Sequence, residues 1–172
     1  MKRTIILLLL AVFSLSAQAV TVTGYDFIIG KYYYKITSEN PKEVALVRNW
    51  DACILYQGDI IVPDSVQHDG VYYKVTSLDD LVFYGAMINS LTLPKGIRSI
   101  GEECFADATF NCPILLPDSL RVIKKSAFFA AYSTWKLFIP ALCTTIEDGA
   151  FGVVYGLQQF TVDTANQAYS SY

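Results

Sequence analysis

Three stretches of the sequence decide the fold: PKGIRSIGEECF at 94–105, PDSLRVIKKSAF at 117–128 and PALCTTIEDGAF at 140–151. Each begins with proline and ends with phenylalanine, and successive copies start 23 residues apart. The copies also agree at three apolar or small positions: Ile97, Leu120 and Cys143; Ile100, Ile123 and Ile146; and Cys104, Ala127 and Ala150. Self-similarity at this period indicates one small unit per repeat, here called a coil, which buries its apolar face only by stacking on its neighbours.

The residues before each proline are spaced like the strand of a leucine-rich repeat. Ile88, Leu91 and Leu93 give the pattern I-x-x-L-x-L, whereas Asn111 and Thr134 stand where a leucine is usual in the next two coils. We predict an α/β, mainly β, right-handed solenoid with a parallel strand ladder along one face. The segment from proline to phenylalanine crosses back, and one aromatic side chain per coil stacks in a buried column formed by Phe83, Phe105, Phe128 and Phe151.

The repeats are predicted to span residues 63–172 in about four coils, of which the last is incomplete. Residues 20–62 lack the repeat and alternate short apolar runs with turn residues, which predicts an N-terminal β cap over the first coil. In the first coil, residues 67–74 are an insertion centred on Asp69-Gly70. That dipeptide between alternating apolar residues predicts a β-hairpin.

Residues 1–19 are typical of a secretory signal peptide, since Lys2 and Arg3 precede an apolar run that ends at Ala17-Gln18-Ala19. The expected location is therefore secreted or at the cell surface, with no membrane insertion after the signal is removed. The residue directly after the expected cleavage site is Val20 and not cysteine, so no lipid anchor is predicted.

The formal net charge of −3 and the absence of Lys/Arg runs disfavour nucleic acid as a partner. Cys104 and Cys143 stand at repeat positions that the other copies fill with small or apolar residues, which predicts buried free thiols. Cys53 and Cys112 remain candidates for a disulfide, because sequence alone does not fix connectivity. Glu102, Lys125 and Asp148 share one row and predict a surface charge ladder.

Nothing in the sequence predicts an enzyme, a metal site or a cofactor site. His68 is the single histidine, and Ser65, His68 and Asp69 lie too close on one turn for the geometry of a catalytic triad. We therefore interpret His68 as a solvated hairpin residue. The dispersed cysteines give no zinc-ligand spacing.

The unit with proline at the end of its strand, running from Leu116-Pro117 to Ala127-Phe128 and again from Ile139-Pro140 to Ala150-Phe151, resembles the BspA-like leucine-rich-repeat family of bacterial exported proteins. The insertion Asp69–Val75 is similar to that family as well. The resemblance implies a secreted or surface-displayed protein whose relatives include adhesins. Asn166 and Tyr169 depart from the family pattern, because they stand where earlier copies have an aliphatic pair such as Leu120 and Ile123. This departure indicates either a short C-terminal cap or a truncated product.

The candidate binding surface is the outward side of the strand ladder. Leu115, Trp135 and Phe138 are predicted to form an apolar patch there, and Tyr132 and Tyr155 would extend it. Exposed patches of this kind mark contact sites. The alternative is that another segment, such as the inserted hairpin, covers the patch.

The favoured function is a non-enzymatic binding module for a host or bacterial surface protein or glycan. The alternative is an assembly element that self-associates through the incomplete C-terminal coil, where Phe160 and Val162 would be exposed.

Overall fold

The computed structural model describes residues 24–48, 55–133 and 136–170. The expected signal peptide, Cys53 and Trp135 lie outside these ranges. The described residues form strands and no helix, so the β-rich part of the expected class is confirmed, and its α part is wrong for this portion of the chain. The strands are β1 Phe27–Ile29, β2 Tyr32–Glu39, β3 Lys42–Val47, β4 Gln57–Ile61, β5 Ser65–His68, β6 Val71–Leu78, β7 Met87–Thr92, β8 Ser99–Ile100, β9 Thr109–Phe110, β10 Val122–Ile123, β11 Tyr132–Ser133, β12 Lys136–Ile139, β13 Thr145–Ile146 and β14 Gln159–Val162.

The first sheet has the order β1-β2-β3-β6-β8-β10-β13, with β5 paired to β6. Along the path from β3 to β13 neighbouring strands are parallel, and one apolar row repeats along them: Leu46, Leu78, Ile100 and Ile123 are buried, and Ile146 in the last strand is partly buried. The segment after each proline was expected only to cross back. Its apolar residues Ile97 and Ile100 are buried because this segment also pairs with the corresponding segments of the preceding and the next coil.

The second sheet, β11-β9-β7-β4, and the pair β12-β14 contain the strand ladder that the sequence predicts. One register differs from expectation, because Ile88 pairs with Phe110 and not with Asn111. Phe110 is buried and fills the apolar position that the sequence assigned to Asn111. Pro113 lacks an amide N–H, and beyond it the coil keeps only the parallel bridge between Ile114 and Leu137.

The column of aromatic rings is confirmed. The ring centroids of Phe83 and Phe105, Phe105 and Phe128, and Phe128 and Phe151 lie 5.2, 5.1 and 5.2 Å apart, with interplanar angles of 17°, 14° and 17°. Tyr56 continues the column with its ring 5.1 Å from that of Phe83. Each fully buried ring contributes about 1.5–3 kcal/mol of burial free energy.

The segments that carry the phenylalanines are joined by backbone hydrogen bonds. The N–H groups of Phe105 and Phe128 donate to Ala127 O and Ala150 O at 2.7 Å in both cases. The small residue before each phenylalanine is buried and lets the backbones approach this closely. Each segment also holds two residues at positive φ, four positions apart: Glu103 and Asp107, Ser126 and Ala130, and Gly149 and Val153.

The hairpin at Asp69-Gly70 is confirmed, since β5 and β6 are antiparallel with His68 opposite Val71. Both turn residues have positive φ, 49° and 78°. His68 lies in this hairpin with 34% of its side chain exposed, and its ring also stacks on Phe27 with centroids 4.2 Å apart, a contact that the sequence did not predict.

The prediction that Cys104 and Cys143 are buried free thiols is confirmed, since both are fully buried and neither forms a disulfide. Burial raises the pKa of both thiols, that of Cys143 to about 11. Cys112 is also a free cysteine, and its hypothetical partner Cys53 lies outside the described residues.

Both ends of the described chain pack on the stack. At the N-terminal end, β3 and β4 pair in parallel with β6 and β7. The predicted boundary between the β cap and the repeats at residue 63 stays a prediction. At the other end, Asn166 Nδ2 donates to Pro140 O and Cys143 O, at 2.9 Å each. The hydroxyl of Tyr169 accepts a hydrogen bond of 2.9 Å from the Ile146 N–H, at the edge of the first sheet.

Candidate functional site

The outward side of the strand ladder exposes four of the five candidate residues. The exposed fractions are 72% for Leu115, 45% for Phe138, 49% for Tyr132 and 54% for Tyr155. Trp135, the fifth, lies outside the described residues. Leu115 and Phe138 owe their exposure to the alternation of side chains along a strand, because Ile114 and Leu137, which precede them, are buried.

Strand pairing arranges these side chains in two rows. Phe138 pairs with Thr161, and the bridge between Ile114 and Leu137 puts Leu115 beside Phe138 in the first row. Tyr132 and Tyr155 form a bridge of their own and belong to the second row. Neighbouring parallel strands are about 4.8 Å apart, so side chains within a row are in mutual reach.

Two further exposed apolar residues join the rows and were missed from the sequence. Ile61 pairs with Thr92 and extends the first row, while Met87 lies in register with Thr109 and Tyr132 and extends the second. The signal for Met87 was its position next to the buried Ile88, since neighbours in a strand face opposite sides. Ile61 preceded the recognisable repeat and therefore had no register. We call Ile61, Leu115, Phe138, Met87, Tyr132 and Tyr155 the apolar rows.

Polar side chains lie between the two rows at the N-terminal end. Asn111 Nδ2 donates to Asn89 Oδ1 at 3.1 Å, and Ser90 Oγ donates to Asp59 Oδ1 at 2.6 Å. These bonds join neighbouring coils across the face. The surface is therefore a flat sheet face with fixed polar groups between apolar rows.

The inserted hairpin does not cover the apolar rows. Its strand β5 pairs with β6 in the first sheet, and Leu115 and Phe138 are exposed. The proposal that this hairpin buries the patch is therefore wrong.

The described residues contain no group of three or more His, Cys, Asp or Glu side chains placed to hold a metal ion. Within the same part of the chain, no helix has the length and hydropathy needed to cross a membrane. The expected pairing of Lys125 with Glu102 is present, at 3.9 Å between exposed groups. Such a pair contributes about 0–1 kcal/mol.

The repeated coils, the column of rings and the parallel sheets define a β-rich leucine-rich-repeat protein. Residues 75–172 match the family model of the BspA type leucine rich repeat region, and the chain belongs to this family of non-catalytic repeats. Among curated proteins, none gives a significant match.

The chain is similar to several solved leucine-rich-repeat structures. The leucine-rich repeat protein from Bacteroides capillosus ATCC 29799 is 23% identical with a TM-score of 0.58, over 80% of this chain and 97% of that one. The leucine rich cell surface protein from Faecalibacterium prausnitzii A2-165 is 16% identical with a TM-score of 0.42, over 85% of this chain and 56% of that one. The T. pallidum leucine rich repeat protein is 20% identical with a TM-score of 0.48, over 79% and 71%. This chain thus spans little more than half the length of the F. prausnitzii protein.

Proposed function

We propose that the chain is a non-enzymatic binding module that acts outside the cytoplasm and contacts a surface protein through the apolar rows. The observation that carries this proposal is the exposure of Leu115, Phe138, Tyr132 and Tyr155 on adjacent parallel strands. Large exposed apolar side chains in a contiguous patch are typical of contact sites. The short right-handed solenoid and its N-terminal β cap would hold this surface rigid, so that little conformational entropy is lost on binding.

A protein partner is favoured over a glycan for the apolar rows. Aliphatic side chains such as Ile61, Leu115 and Met87 have no polar group with which to bind sugar hydroxyls, but they pack well against apolar side chains. Tyr132 and Tyr155 supply rigid rings with a polar tip, which are enriched at protein interfaces. A glycan remains the alternative partner through the tyrosines and Trp135.

The location outside the cytoplasm is supported by the signal-like residues 1–19. It is supported further by membership of a family whose relatives are exported. Secretion with cleavage before Val20 would give the mature binding module.

The test compares binding and stability in one set of variants. The chain from Val20 onward is screened against immobilised extracellular-matrix proteins and bacterial surface polysaccharides, and then the Leu115→Ala/Phe138→Ala double variant is compared with the wild type. We expect binding to be lost while the melting temperature changes by less than about 3 °C, because both side chains are solvent-exposed. Leu142→Ala, at an exposed apolar position outside the rows, is the matched control and should bind normally.

A large loss of melting temperature in the double variant would show that these side chains are packed rather than available. Unchanged binding in a variant of normal stability would place the contact elsewhere. Trp135→Ala/Phe138→Ala tests the hypothesis for Trp135 in the same assay.

Assembly through the C-terminal coil is the second candidate function. Strand β14 pairs only with β12 among the described strands, and its Phe160 is 41% exposed. The expectation that Val162 is exposed is wrong, because this side chain is buried. A strand edge of this kind can pair with a second copy of the chain. Analytical ultracentrifugation discriminates, because a monomer at high protein concentration counts against assembly.

A further inference from the structure

A cleft of about 620 Å³ lies on the first sheet, and none of its lining residues belongs to the strands of the apolar rows. Strands β3, β5 and β6 supply one side of it, through Lys42, Glu43, Ser65 and Lys74 among others. The next two coils supply Gly96, Arg98 and Ser119. Volumes of about 300–1,000 Å³ are typical of small-ligand sites.

One of the residues that line the cleft, Gly96, has no side chain. Gly96 lies in the coil between Lys74 and Ser119, as the pairing of Ser77 with Ser99 fixes their register. A Cβ atom at residue 96 would have one neighbour within 4 Å, Val75 O at 3.4 Å, so the space around this position is otherwise open. Ser119 Oγ turns back toward the backbone, 2.6 Å from Ile97 O, and so does not fill the space.

The lining of the cleft is positively charged in a chain whose formal net charge is −3. It contains the cations Lys42, Lys74 and Arg98 against one carboxylate, Glu43. Glu43 is nearly buried, with 12% of its side chain exposed, and it is bound by Arg98 and Thr76. Lys42 pairs with Glu39, which is not in the lining.

Lys74 is the cation best placed for a ligand. It is exposed and makes no ion pair within the part of the chain that the structure describes. The guanidinium of Arg98 neutralises Glu43 yet keeps 46% of its side chain exposed. A local excess of positive charge in a concave site attracts anions.

An aromatic ring stands beside these cations. Tyr72, at the hairpin, is 66% exposed, which is more than any other aromatic side chain described. Its neighbour Tyr73 is buried, with the Lys42 ammonium 5.6 Å from the centroid of its ring. An exposed ring provides a flat apolar surface, and the cations and the hydroxyl of Ser65 provide polar contacts.

We propose that this cleft binds an acidic saccharide, with Lys74 and Arg98 contacting its carboxylate or sulfate and Tyr72 packing against the apolar face of a sugar ring. A sugar acid combines an apolar C–H face, hydroxyl groups and a negative charge, which are the three features that the lining matches. The site is separate from the apolar rows, so the chain would hold a saccharide on one sheet and a protein on another.

The experiment measures binding by isothermal titration calorimetry with four defined probes. A heparin-derived tetrasaccharide carries sulfate and carboxylate, and a hyaluronan tetrasaccharide carries carboxylate alone. Chitotetraose is the neutral sugar, and tetraglutamate is the acidic peptide. We expect at least one acidic tetrasaccharide to bind about tenfold or more tightly than chitotetraose and tetraglutamate. Its affinity should fall as NaCl rises from about 50 to 500 mM, because salt screens exposed charges. The two acidic sugars together distinguish recognition of sulfate from recognition of carboxylate.

Lys74→Ala and Tyr72→Ala should each weaken that binding about tenfold with unchanged thermal unfolding, since both side chains are exposed. Lys136→Ala and Phe129→Ala remove a lysine and an exposed aromatic side chain that belong neither to the cleft nor to the apolar rows, and they should leave binding unchanged. The proposal is overturned if neither acidic tetrasaccharide binds, if chitotetraose or tetraglutamate binds equally well, or if the control variants lose as much affinity as the cleft variants. Because Leu115→Ala/Phe138→Ala should not affect saccharide binding, failure of one site is distinguishable from failure of the other.

Discussion

The middle of the stack and its C-terminal end place the same repeat positions in different surroundings. Phe128 is buried between the stacked rings of Phe105 and Phe151. Phe151 is only partly buried: Phe128 stacks on one side of its ring, and Phe160 contacts it edge-on at 5.3 Å. A repeat residue thus takes its burial from the coils on both sides of it, and the last coil must satisfy its free side by other means.

Asn166 and Tyr169 are the polar residues that do this for the first sheet. They stand at the positions of Cys143 and Ile146, one coil further on. A hydrogen-bonding side chain at the end of the stack takes the place of the backbone groups that the next coil would offer.

The largest effect is expected from truncating a ring in the middle of the column. Phe128→Ala should lower the free energy of unfolding by about 3–5 kcal/mol, because it leaves a cavity between two rings. Phe151→Ala should cost only about 1–2 kcal/mol, since this ring is already partly exposed. Urea unfolding of both variants checks the difference, with Phe128→Leu as a milder substitution if Phe128→Ala does not fold. Equal costs at the two positions would contradict the comparison.

A similar contrast is expected for two glycines. An ideal Cβ at Gly101 would lie 2.4 Å from the carbonyl carbon of Asp79, so Gly101→Ala forces two coils apart. We expect a cost of about 3 kcal/mol from this overpacking. Gly149, at φ +64° near the end of the stack, has only Ser126 Oγ at 3.5 Å from such a Cβ. Gly149→Ala should therefore cost about 1 kcal/mol, which is the strain of the left-handed conformation alone. Thermal unfolding of the two variants measures the contrast, and the reverse order would be inconsistent with it.

The polar contacts at the C-terminal end of the stack should contribute less to the free energy of unfolding than the column of rings does. Asn166→Ala removes the side-chain bonds to Pro140 O and Cys143 O and the acceptor for the N–H groups of Ala168 and Tyr169. We expect a loss of about 1–3 kcal/mol, confined to the last coil. Amide hydrogen exchange should then quicken around Ile146 but not around Ile100. Faster exchange throughout the chain would mean that the coils unfold only as one unit.

The smallest effect should be a gain in stability. Val153 adopts φ +56° although a β-branched side chain disfavours that conformation. Val153→Gly should raise the free energy of unfolding by about 0.5–1 kcal/mol, since relief of strain exceeds the entropy that glycine loses on folding. Ala165→Gly, at an exposed position without positive φ, is the control and should be slightly destabilising. A destabilised Val153→Gly would show that the side chain contributes packing there.

The sequence predicted those features that follow from a fixed interval. The column of rings, the buried Cys104 and Cys143 and the exposure of Leu115 and Phe138 all depend on a period of 23 residues. A periodic pattern identifies them because each position repeats the same environment.

Features that break the interval were missed. The shift of one residue that places Phe110 beside Ile88 is a local slip, and a fixed spacing cannot reveal it. The parallel pairing of the first sheet was overlooked because its strands from β8 onward are only two residues long. Side-chain alternation is unreadable over so short a strand. Ile61 was missed because it precedes the recognisable repeat. The cleft on the first sheet was missed because β5 and β6, which line part of it, contain the insertion that hides the repeat.

A double-mutant cycle on the column tests most directly whether coils stack in register. The adjacent pair Phe105→Leu and Phe128→Leu should show a coupling of about 0.5–1.5 kcal/mol, because their rings contact each other. The pair Phe105→Leu and Phe151→Leu, separated by one coil, should be additive to within about 0.5 kcal/mol. Additivity in the adjacent pair, or equal coupling in both pairs, would contradict the stacked arrangement on which both proposed surfaces depend.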